Sequence, residues 1–483
     1  MKQLTGIDAS FLYMESPTSF GHVNSVVIYE RPDDPDFDPY EAYRIGLEKR
    51  LHLLEPLRRK LVEVPFALDH PYWINDEDFD LNFHLRHIAL PGPGTIEQLA
   101  EQTARIIARP CDRSRPLWEV YVIEGLESGD FAILTKVHHA TVDGALGVEM
   151  LMMMLDADPA GDEIPEDTGA WRGESKPSDL EMLGRTAVSF MRKPGRAARA
   201  QLRAMQHMAE VSRNKGVSAY IGAVRDQLPA SFGGRDHGDR DPGPAVSAPT
   251  TPWNKSITPH RRLALRSTPL DTVKALKSDL GVTLNDVVMA VVAGGLREYL
   301  VLHDALPERP LRAMVPVSLR TGTEADPWTN RVSSIFVDIP THLDDPIERV
   351  HAVHESMNAA KEAFELVPAE SLVQAAEFAL PGVAIQASRA AGRLADRGAV
   401  PVNVVISNVP GPRIPLYMGG ARMRHFYPVS TIAPGVGLNV TVQSYLDTLD
   451  FGLVADRQLV PDLDTMARLH VDEIDKLVAA SGV

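Results

Sequence analysis

Apolar residues recur along this chain with two different periods, and the two patterns alternate. A helical spacing of apolar residues predicts helices at Ile96 to Ala108, Leu270 to Leu280, Leu284 to Leu300 and Ile347 to Phe364. Alternating or continuous apolar runs predict strands at Trp118 to Ile123, Phe131 to Val137, Leu311 to Val317, Ser334 to Ile339, Val402 to Ile406 and Gly437 to Tyr445. Because helices and strands interleave in both halves, we predict a mixed α/β (α+β) fold.

Two polar stretches divide this pattern into three parts. Residues 161–179 and 230–252 are rich in Gly, Pro and acidic or small polar residues, a composition typical of exposed connectors. We therefore predict an N-terminal α/β domain at 1–160, a connector at 161–250 and a C-terminal α/β domain at 251–483. Two α/β halves of similar size indicate related domains with a cleft between them.

The connector contains a helix-compatible segment from Leu180 to Asp226, broken at Pro194-Gly195. Its cations are accompanied by apolar side chains: Arg185, Arg192, Lys193, Arg196, Arg199 and Arg203 occur with Leu183, Phe190, Met191, Leu202, Met205 and Met208. Such a helix can lie on an anionic lipid surface, burying its apolar side and pairing its cations with head groups. The same pattern is typical of a solvated helix packed on its own protein, and both interpretations stay open.

Composition and charge exclude several classes of protein. With 483 residues, 44% hydrophobic and 24% charged, the chain is an ordinary globular protein, longer than one hydrophobic core usually supports. Its net charge of -16 repels phosphate backbones, so we expect no nucleic-acid partner. The single cysteine, Cys111, excludes disulfides and cysteine-based zinc sites within the chain and indicates a reducing cytoplasm. We expect neither a secretion signal nor a transmembrane helix, because no apolar stretch approaches the ~20 residues that a span requires.

A doubled histidine lies where a predicted strand gives way to a helical stretch, in the string from His138 to Gly144, HHATVDG. Neutral imidazole can accept a proton from an alcohol while the alcohol oxygen attacks a carbonyl, which makes His139 a candidate general base. Asp143 can organise the motif by accepting hydrogen bonds, and Gly144 permits the close approach of a ligand. Adjacent residues leave a strand in opposite directions, so we interpret His138 as structural. The string alone also occurs by chance, and a non-catalytic role stays open.

Other chemistries fit the sequence less well. Serine hydrolysis would need Gly-x-Ser-x-Gly and a zincin would need His-Glu-x-x-His, and both motifs are absent. A metal site at His139 and Asp143 would need further ligands that the sequence does not place, so we expect no metal. The small residues from Val292 to Gly295 lie inside a helical pattern, where they are more often used for packing than for phosphate binding. Cys111 lacks a local activating motif and is typical of a structural thiol.

Seven blocks of sequence follow one another in a characteristic order. They are Leu4 to Thr18, Arg115 to Glu119, His138 to Gly144, Thr283 to Val288, Val315 to Arg320, Ser407 to Pro412 and Ser444 to Gly452. In this order they resemble the bacterial wax ester synthase/diacylglycerol acyltransferase (WS/DGAT) family. That family is a branch of the CoA-dependent acyltransferases, with chloramphenicol acetyltransferase and peptide-synthetase condensation domains. The resemblance runs nearly end to end, apart from the connector.

The resemblance implies two chloramphenicol-acetyltransferase-like domains with mixed sheets and flanking helices, and a channel between them. It further implies that His139 acts as general base while a long-chain acyl group moves from acyl-CoA to diacylglycerol, giving triacylglycerol. Acyl-CoA is then a co-substrate, and neither a cofactor nor a metal is required. One alternative is wax ester synthesis on a long-chain fatty alcohol. Another is a catalytically silent protein that binds lipid surfaces through Leu180 to Asp226.

Family resemblance also assigns roles to further residues. Asn285 is implied as an oxyanion or substrate-orienting donor. A buried structural amide that ties two elements together is an equally supported interpretation. Asp143 would pair with an arginine, and Arg320 or Arg413 is the candidate. The implied substrate-binding positions are Gly144, Pro116, Leu117, Trp118, Asn408, Pro410 and Gly411. Phe20 to Asn24 departs from the family pattern, which leaves the acyl preference open. We expect the protein in the cytoplasm, in peripheral contact with the inner face of the plasma membrane or with lipid droplets.

Overall fold

A computed structural model describes residues 1–142, 144–169, 171–191, 248–320, 328–366 and 400–482, together with 385, 386, 390, 393, 394, 396 and 397. Its strands are β1 Lys2–Gln3, β2 His22–Tyr29, β3 Arg59–Val62, β4 Tyr72–Asn75, β5 Leu85–Ala89, β6 Trp118–Glu124, β7 Phe131–His138, β8 Arg261–Pro269, β9 Leu311–Ser318, β10 Val332–Ile339, β11 Val404–Val409, β12 Tyr417–Met418, β13 Ala421–Val429, β14 Leu438–Tyr445 and β15 Thr448–Asp456. The helices comprise Gly6–Tyr13, Pro39–Arg50, Leu81–His84, Ile96–Ile107, Gly144–Met154, 179–191, Leu270–Asp279, Leu284–Leu302, Pro346–Leu366 and Leu463–Ser481. Short 3-10 turns lie at Leu51–Leu53, Glu55–Arg58 and Pro65–Ala67.

These elements form two large mixed sheets and one small sheet. The first large sheet has the strand order β12-β13-β2-β7-β6-β5, and the second has the order β10-β9-β11-β14-β15-β8. A three-stranded sheet, β1-β4-β3, lies beside them. The mixed α/β fold predicted from the sequence is confirmed, and every helix and strand predicted outside the 161–250 connector is present to within a few residues at its ends.

Strand β7 shows why an uninterrupted apolar run forms a strand here. Phe131, Ile133 and Val137 point into one hydrophobic cluster, and Ala132 and Leu134 point into another on the opposite face of the sheet. A strand covered on both faces needs apolar residues at successive positions, whereas a half-exposed strand alternates. The run therefore carries β7 through the core to its last residue, His138, and His139 follows directly after the strand.

Two strands of the C-terminal half belong to the first sheet. The chain leaves the second sheet after β11, adds β12 and β13 next to β2, and then returns as β14 and β15. The β13–β2 ladder runs from Met423 opposite Tyr29 to Val429 opposite Asn24. Strand pairing thus links residues on both sides of the predicted 161–250 connector.

The helix Leu284–Leu302 lies in the core of the second half. A capping box of Thr283 and Asp286 fixes its start. Residues on all of its sides are buried, and the small residues Gly294 and Gly295 lie against the helix Leu463–Ser481, as the packing interpretation expects. Among the described residues, no single helix is long and apolar enough to cross a bilayer. The helices Leu270–Asp279 and Leu284–Leu302 meet that criterion only when taken together, across a bend of 104°.

Candidate active site

The first histidine of the pair faces inward at the end of β7. His138 lies opposite His22 of β2 and is 2% exposed. Its Nδ1 accepts a hydrogen bond of 3.0 Å from the backbone N–H of Ala140, and its Nε2 lies 3.2 Å from Oε1 of Glu15. Because a backbone N–H can only donate, the proton of the neutral ring sits on Nε2, facing the carboxylate. His138 thereby holds the turn that follows the strand.

The carboxylate of Glu15 lies between His138 and the side chain of Arg113. Its Oε1 accepts a 3.0 Å hydrogen bond from the Gly21 backbone, and its Oε2 accepts one of 2.7 Å from Arg113. Burial of the Glu15 carboxylate acts to raise its pKa, but the contacts with His138, Gly21 and Arg113 outweigh it and hold the pKa at about 2. Glu15 is therefore an anion at every physiological pH.

The second histidine turns the other way and is partly exposed. The backbone N–H of His139 donates to the carbonyl of Gly21 at 2.7 Å, which fixes the residue against the start of β2. Its ring stacks on Phe11 with a centroid distance of 3.9 Å and an interplanar angle of 5°. On the edge of the ring, Nδ1 lies 3.3 Å from Oδ1 of Asn330. His139 thus lies between the N-terminal helix Gly6–Tyr13 and a residue of the C-terminal half.

Asn330 was not among the residues singled out from the sequence. It precedes β10 and is 3% exposed. Its Nδ2 donates to the carbonyl oxygen of His139 at 2.7 Å and to Oδ1 of Asp8 at 2.6 Å. Its own backbone N–H donates to the same Asp8 oxygen at 3.1 Å. The contact joins residues 191 positions apart, and no local pattern in the sequence predicts it.

The carboxyl edge of the second sheet supplies the other side of the site. Strands β9 and β14 both run parallel to β11, so all three end at this edge, and β10 begins there. Asn408, near the end of β11, donates a 3.2 Å hydrogen bond to Oδ1 of Asn285 at the start of the helix Leu284–Leu302. Asn285, Asn408 and Asn330 therefore belong to one edge, and Asn330 joins that edge to His139. Crevices beyond the carboxyl ends of strands are where ligands bind in open α/β sheets.

Comparison with known proteins identifies the family of this chain. The wax ester synthase/diacylglycerol acyltransferase catalytic domain model matches residues 4–288, and the WS/DGAT C-terminal domain model matches residues 328–478. The chain belongs to the WS/DGAT family. A relative from Mycobacterium tuberculosis, named as a diacylglycerol O-acyltransferase, is 37% identical over 99% of this chain and 100% of its own. A relative of the same description from Mycobacterium bovis is 34% identical over 99% of this chain and 98% of its own.

Solved structures agree with the family assignment. The wax ester synthase/diacylglycerol acyltransferase from Marinobacter aquaeolei VT8 superposes with a TM-score of 0.70 at 28% identity, covering 100% of both chains. The first condensation domain of the CDA synthetase gives a TM-score of 0.57 at 17% identity, over 100% of this chain and 96% of its own. The latter likeness concerns the fold alone. This WS/DGAT chain is an acyltransferase, and it shares its fold with condensation domains.

Within this WS/DGAT chain, the Pro116-Leu117-Trp118 block lies behind the histidine turn. Leu117 and Trp118 are each 1% exposed, and the carbonyl of Leu117 accepts the His138 backbone N–H at 2.8 Å. Trp118 donates from Nε1 to the carbonyl of Leu57 at 2.7 Å and stacks on His84. The block therefore supports β7, and a contact with substrate stays a prediction.

The loop that follows β11 carries the chain from the second sheet to the first. Pro410 is exposed, while Gly411 lies so close to β14 that a Cβ atom there would be 1.9 Å from the Ser444 carbonyl oxygen. No residue other than glycine fits this position without moving the backbone. Substrate contacts by Asn408, Pro410 and Gly411 stay a prediction.

The remaining site predictions have different outcomes. Asp143 lies outside the described residues, so its pairing with Arg320 or Arg413 stays a prediction; Gly144 begins the helix Gly144–Met154. Burial raises the pKa of the Cys111 thiol to about 12, as expected for a structural cysteine. Among the described residues, no cluster of three or more His, Cys, Asp or Glu side chains is arranged to bind a metal.

Proposed function

We propose that this acyltransferase moves a long-chain acyl group from acyl-CoA to the free hydroxyl of diacylglycerol, with neutral His139 as general base. The observation that carries the proposal is the position of His139. Its ring is partly exposed at the end of β7 and touches Asn330 at the carboxyl edge of the second sheet. The end-to-end relatives named as diacylglycerol O-acyltransferases support the choice of acceptor.

The proposed reaction is direct transfer without a covalent acyl-enzyme. The imidazole of His139 accepts the hydroxyl proton as the alcohol oxygen forms a bond to the thioester carbonyl carbon. The tetrahedral intermediate then breaks its carbon–sulfur bond, and the leaving thiolate takes the proton back from the imidazolium. The products are triacylglycerol and CoA. General-base assistance of this type supplies roughly 10²–10⁴-fold in rate, and positioning of the two substrates must supply much of the rest.

Neighbouring residues have supporting roles in this proposal. His138, buried and held by Ala140 and Glu15, fixes the turn and does not touch substrate. Asn285 donates from its amide to the developing oxyanion, or orients the acyl donor, from the edge that also carries Asn330. Asp143 organises the turn. Acyl-CoA is a co-substrate, and we propose that neither a metal nor a further cofactor takes part.

The catalytic role of His139 is tested by substitution. We expect His139→Ala to lower CoA release from acyl-CoA in the presence of diacylglycerol by at least ~10²-fold. A matched control is His87→Ala, because His87 is an exposed histidine that pairs with Glu124 away from the motif. Equal rates for His139→Ala and the parent protein would refute the base assignment and favour a catalytically silent lipid-binding protein.

The acceptor is tested by direct competition. Purified protein receives one acyl-CoA with either a 1,2-diacylglycerol or a long-chain fatty alcohol, and the products are separated by thin-layer chromatography. We expect triacylglycerol as the main product. Wax ester as the sole product would replace the proposed acceptor while leaving the reaction type intact, because both acceptors present a hydroxyl beside an alkyl chain.

We also propose peripheral contact with a lipid surface at the cytoplasmic face of the membrane or on lipid droplets. Two exposed apolar side chains support it: Phe66 is 88% exposed in a tight turn, and Leu180 is 80% exposed on the helix 179–191. The basic segment Leu180 to Asp226 starts in that helix. Its residues beyond 191 lie outside the described residues.

Liposome flotation tests this contact. We expect reversal of Arg192, Arg196 and Arg199 to Glu to abolish binding to anionic vesicles. Reversal of the exposed arginines Arg105 and Arg468, on two other helices, is the control and should leave flotation unchanged. Unchanged flotation in both variants would discard the role of the segment.

A further inference from the structure

The amide of Asn330 has an orientation that its surroundings dictate. Its nitrogen end lies 2.7 Å from the carbonyl oxygen of His139 and 2.6 Å from a carboxylate oxygen of Asp8. The peptide oxygen can only accept a hydrogen bond, so the atom facing it must be the NH2 group. The other end of the amide, Oδ1, is therefore the one that faces the His139 ring at 3.3 Å.

This orientation determines the protonation of the ring. An amide oxygen has no proton to give, so the contact with Nδ1 is a hydrogen bond only when Nδ1 carries the hydrogen. In the neutral imidazole the second nitrogen, Nε2, is then the unprotonated one and holds the lone pair. The tautomer of His139 follows from the amide of Asn330.

We propose that Asn330 is a positioning residue that holds His139 in its Nδ1–H tautomer and so makes Nε2 the basic atom. The inference rests on the proposed function, in which His139 is the general base. Phe11 adds the second constraint, because its stacked ring fixes the plane of the imidazole. The tautomer and the plane together aim the Nε2 lone pair in one direction.

Asp8 anchors the amide without touching the imidazole. It is 3% exposed and accepts hydrogen bonds from the amide and the backbone N–H of Asn330. Thr5 donates to its other oxygen at 2.7 Å. An amide held by both its side chain and its backbone cannot rotate by half a turn, since rotation would place Oδ1 against two oxygen atoms. Asp8 thus belongs to the N-terminal helix but orients a residue of the C-terminal half.

The arrangement supports both stages of the proposed reaction. Before transfer, Oδ1 of Asn330 accepts a hydrogen bond from Nδ1–H, so the proton stays on Nδ1 and Nε2 keeps its lone pair. After His139 has accepted the alcohol proton, both ring nitrogens carry hydrogen, and Oδ1 still accepts from Nδ1. A neutral acceptor orients the ring as the carboxylate of a serine-protease triad does, but without a full negative charge beside the base.

The test reads the tautomer directly in the absence of substrate. Protein labelled with ¹⁵N in its histidine rings is examined by NMR near pH 8, and the His139 signals are assigned by their loss in His139→Ala. We expect the parent protein to show a protonated Nδ1 and an unprotonated Nε2. In Asn330→Ala we expect the His139 signals to shift towards a tautomer mixture and kcat to fall about 10–100-fold with little change in KM.

A matched control is Asn254→Ala. Asn254 is a buried asparagine whose amide donates to three carbonyl oxygens, and it makes no contact with His139. We expect this variant to lose stability while the His139 signals stay in place. A protonated Nε2 in the parent protein would overturn the inference, even if Asn330→Ala does not fold. Unchanged signals and kcat in Asn330→Ala would overturn it as well.

These outcomes separate the inference from the proposed function. If His139→Ala remains fully active, the base assignment fails, and the tautomer measurement still reports on Asn330. If His139→Ala is inactive but the tautomer is the opposite one, the reaction stands and the positioning role is lost.

Discussion

Two adjacent histidines have opposite surroundings because a strand directs successive side chains to opposite faces. His138 is buried, and its Nδ1 accepts a hydrogen bond from the backbone N–H of Ala140. The ring of His139 instead lies against Phe11 and Asn330. Nε2 of His138 faces the carboxylate of Glu15, whose pKa of about 2 keeps it ionised. The stability of the histidine turn therefore depends on the charge of a single carboxylate.

Glu15→Gln should make the stability less dependent on pH. The folded-state pKa of Glu15 is about 2, below its ordinary value of 4.5, so ionised Glu15 stabilises the fold above pH 4.5 and loses this effect as the pH falls towards 2. We expect the parent protein to exceed Glu15→Gln by about 3 kcal/mol in unfolding free energy at pH 6, since each pKa unit is worth ~1.4 kcal/mol. The difference should shrink towards pH 2. Urea unfolding at a series of pH values measures it.

Glu63→Gln is the control for this prediction. Glu63 binds the same Arg113 at 2.7 Å, but its side chain is 61% exposed. Exposed ion pairs contribute on the order of 0–1 kcal/mol, so this variant should follow the parent protein at all pH values. Equal pH dependence of Glu15→Gln and the parent protein would show that the carboxylate is not the group that titrates.

At this scale the sequence indicated the histidines and not their partners. The alternation of a strand predicted that the two histidines face in different directions, and His138 is buried while His139 is partly exposed; their roles stay predictions. Asn330 could not be predicted in the same way, because its contact with His139 joins residues 191 positions apart in the sequence. Asp8 lies inside a block that resembled the family start, yet only the folded chain shows that it holds an amide.

Helices and strands were predicted well where apolar periodicity was long. The helix Leu284–Leu302 and strand β7 are examples, since most residues of each are buried. Strands β8, β13 and β15 were missed: β8 carries Arg261, Arg262 and Arg266 among its apolar residues, and β13 mixes histidine and arginine with its apolar residues. Their pairing partners, rather than a local pattern, determine them.

Gly294→Ala should destabilise the protein although alanine favours helices. A Cβ atom at Gly294 would lie 2.2 Å from Cδ of Glu473, whose buried carboxylate is paired with Arg349. Moving Glu473 would separate this ion pair, and leaving a buried charge unpaired is costly. We expect a net loss of about 2–4 kcal/mol in unfolding free energy, after a gain of about 1 kcal/mol from helix propensity.

The matched substitution is Gly46→Ala in the helix Pro39–Arg50. A Cβ atom there meets only Arg50, at an ordinary distance of 3.9 Å, so we expect a gain of about 0.5–1 kcal/mol. Urea unfolding followed by far-UV circular dichroism compares the two variants. Stabilisation by both would mean that the helix Leu463–Ser481 yields to the added methyl group, contrary to close packing in the core.

On the scale of the whole molecule, the two large sheets interlock. Strand β13 pairs with β2 in the first sheet while it packs against β15 of the second, and Gly452 of β15 lies so close that a Cβ atom would be 1.7 Å from the Pro428 carbonyl oxygen. This crossing could not be derived from the apolar pattern, because the chain returns to the second sheet after only two strands. It keeps the end of β7 opposite the carboxyl edge that carries Asn330.

Asp450 links the two sheets, and its removal should weaken both. It is 0% exposed on β15, and it accepts hydrogen bonds from the Phe426 backbone N–H of β13 at 2.7 Å and from Ser267 of β8 at 2.5 Å. Asp450→Ala leaves the buried Phe426 N–H without its acceptor and removes one of the partners of Ser267, so we expect a loss of about 1–3 kcal/mol. Asp464→Ala is the control, because Asp464 is 55% exposed in its pair with Arg266.

The interlocked sheets should also unfold together. Trp118 lies in the core of the first sheet and Trp253 in that of the second, and both are buried. With 5-fluorotryptophan at both positions, ¹⁹F NMR during urea unfolding follows each core separately. We expect coincident midpoints for the two signals in the parent protein, and a common shift to lower urea in Asp450→Ala, because the β13–β2 ladder still couples the sheets. A native Trp118 signal that persists after the Trp253 signal has been lost would contradict this expectation. The two cores would then unfold independently, and the pairing of β13 with β2 would not be enough to couple them.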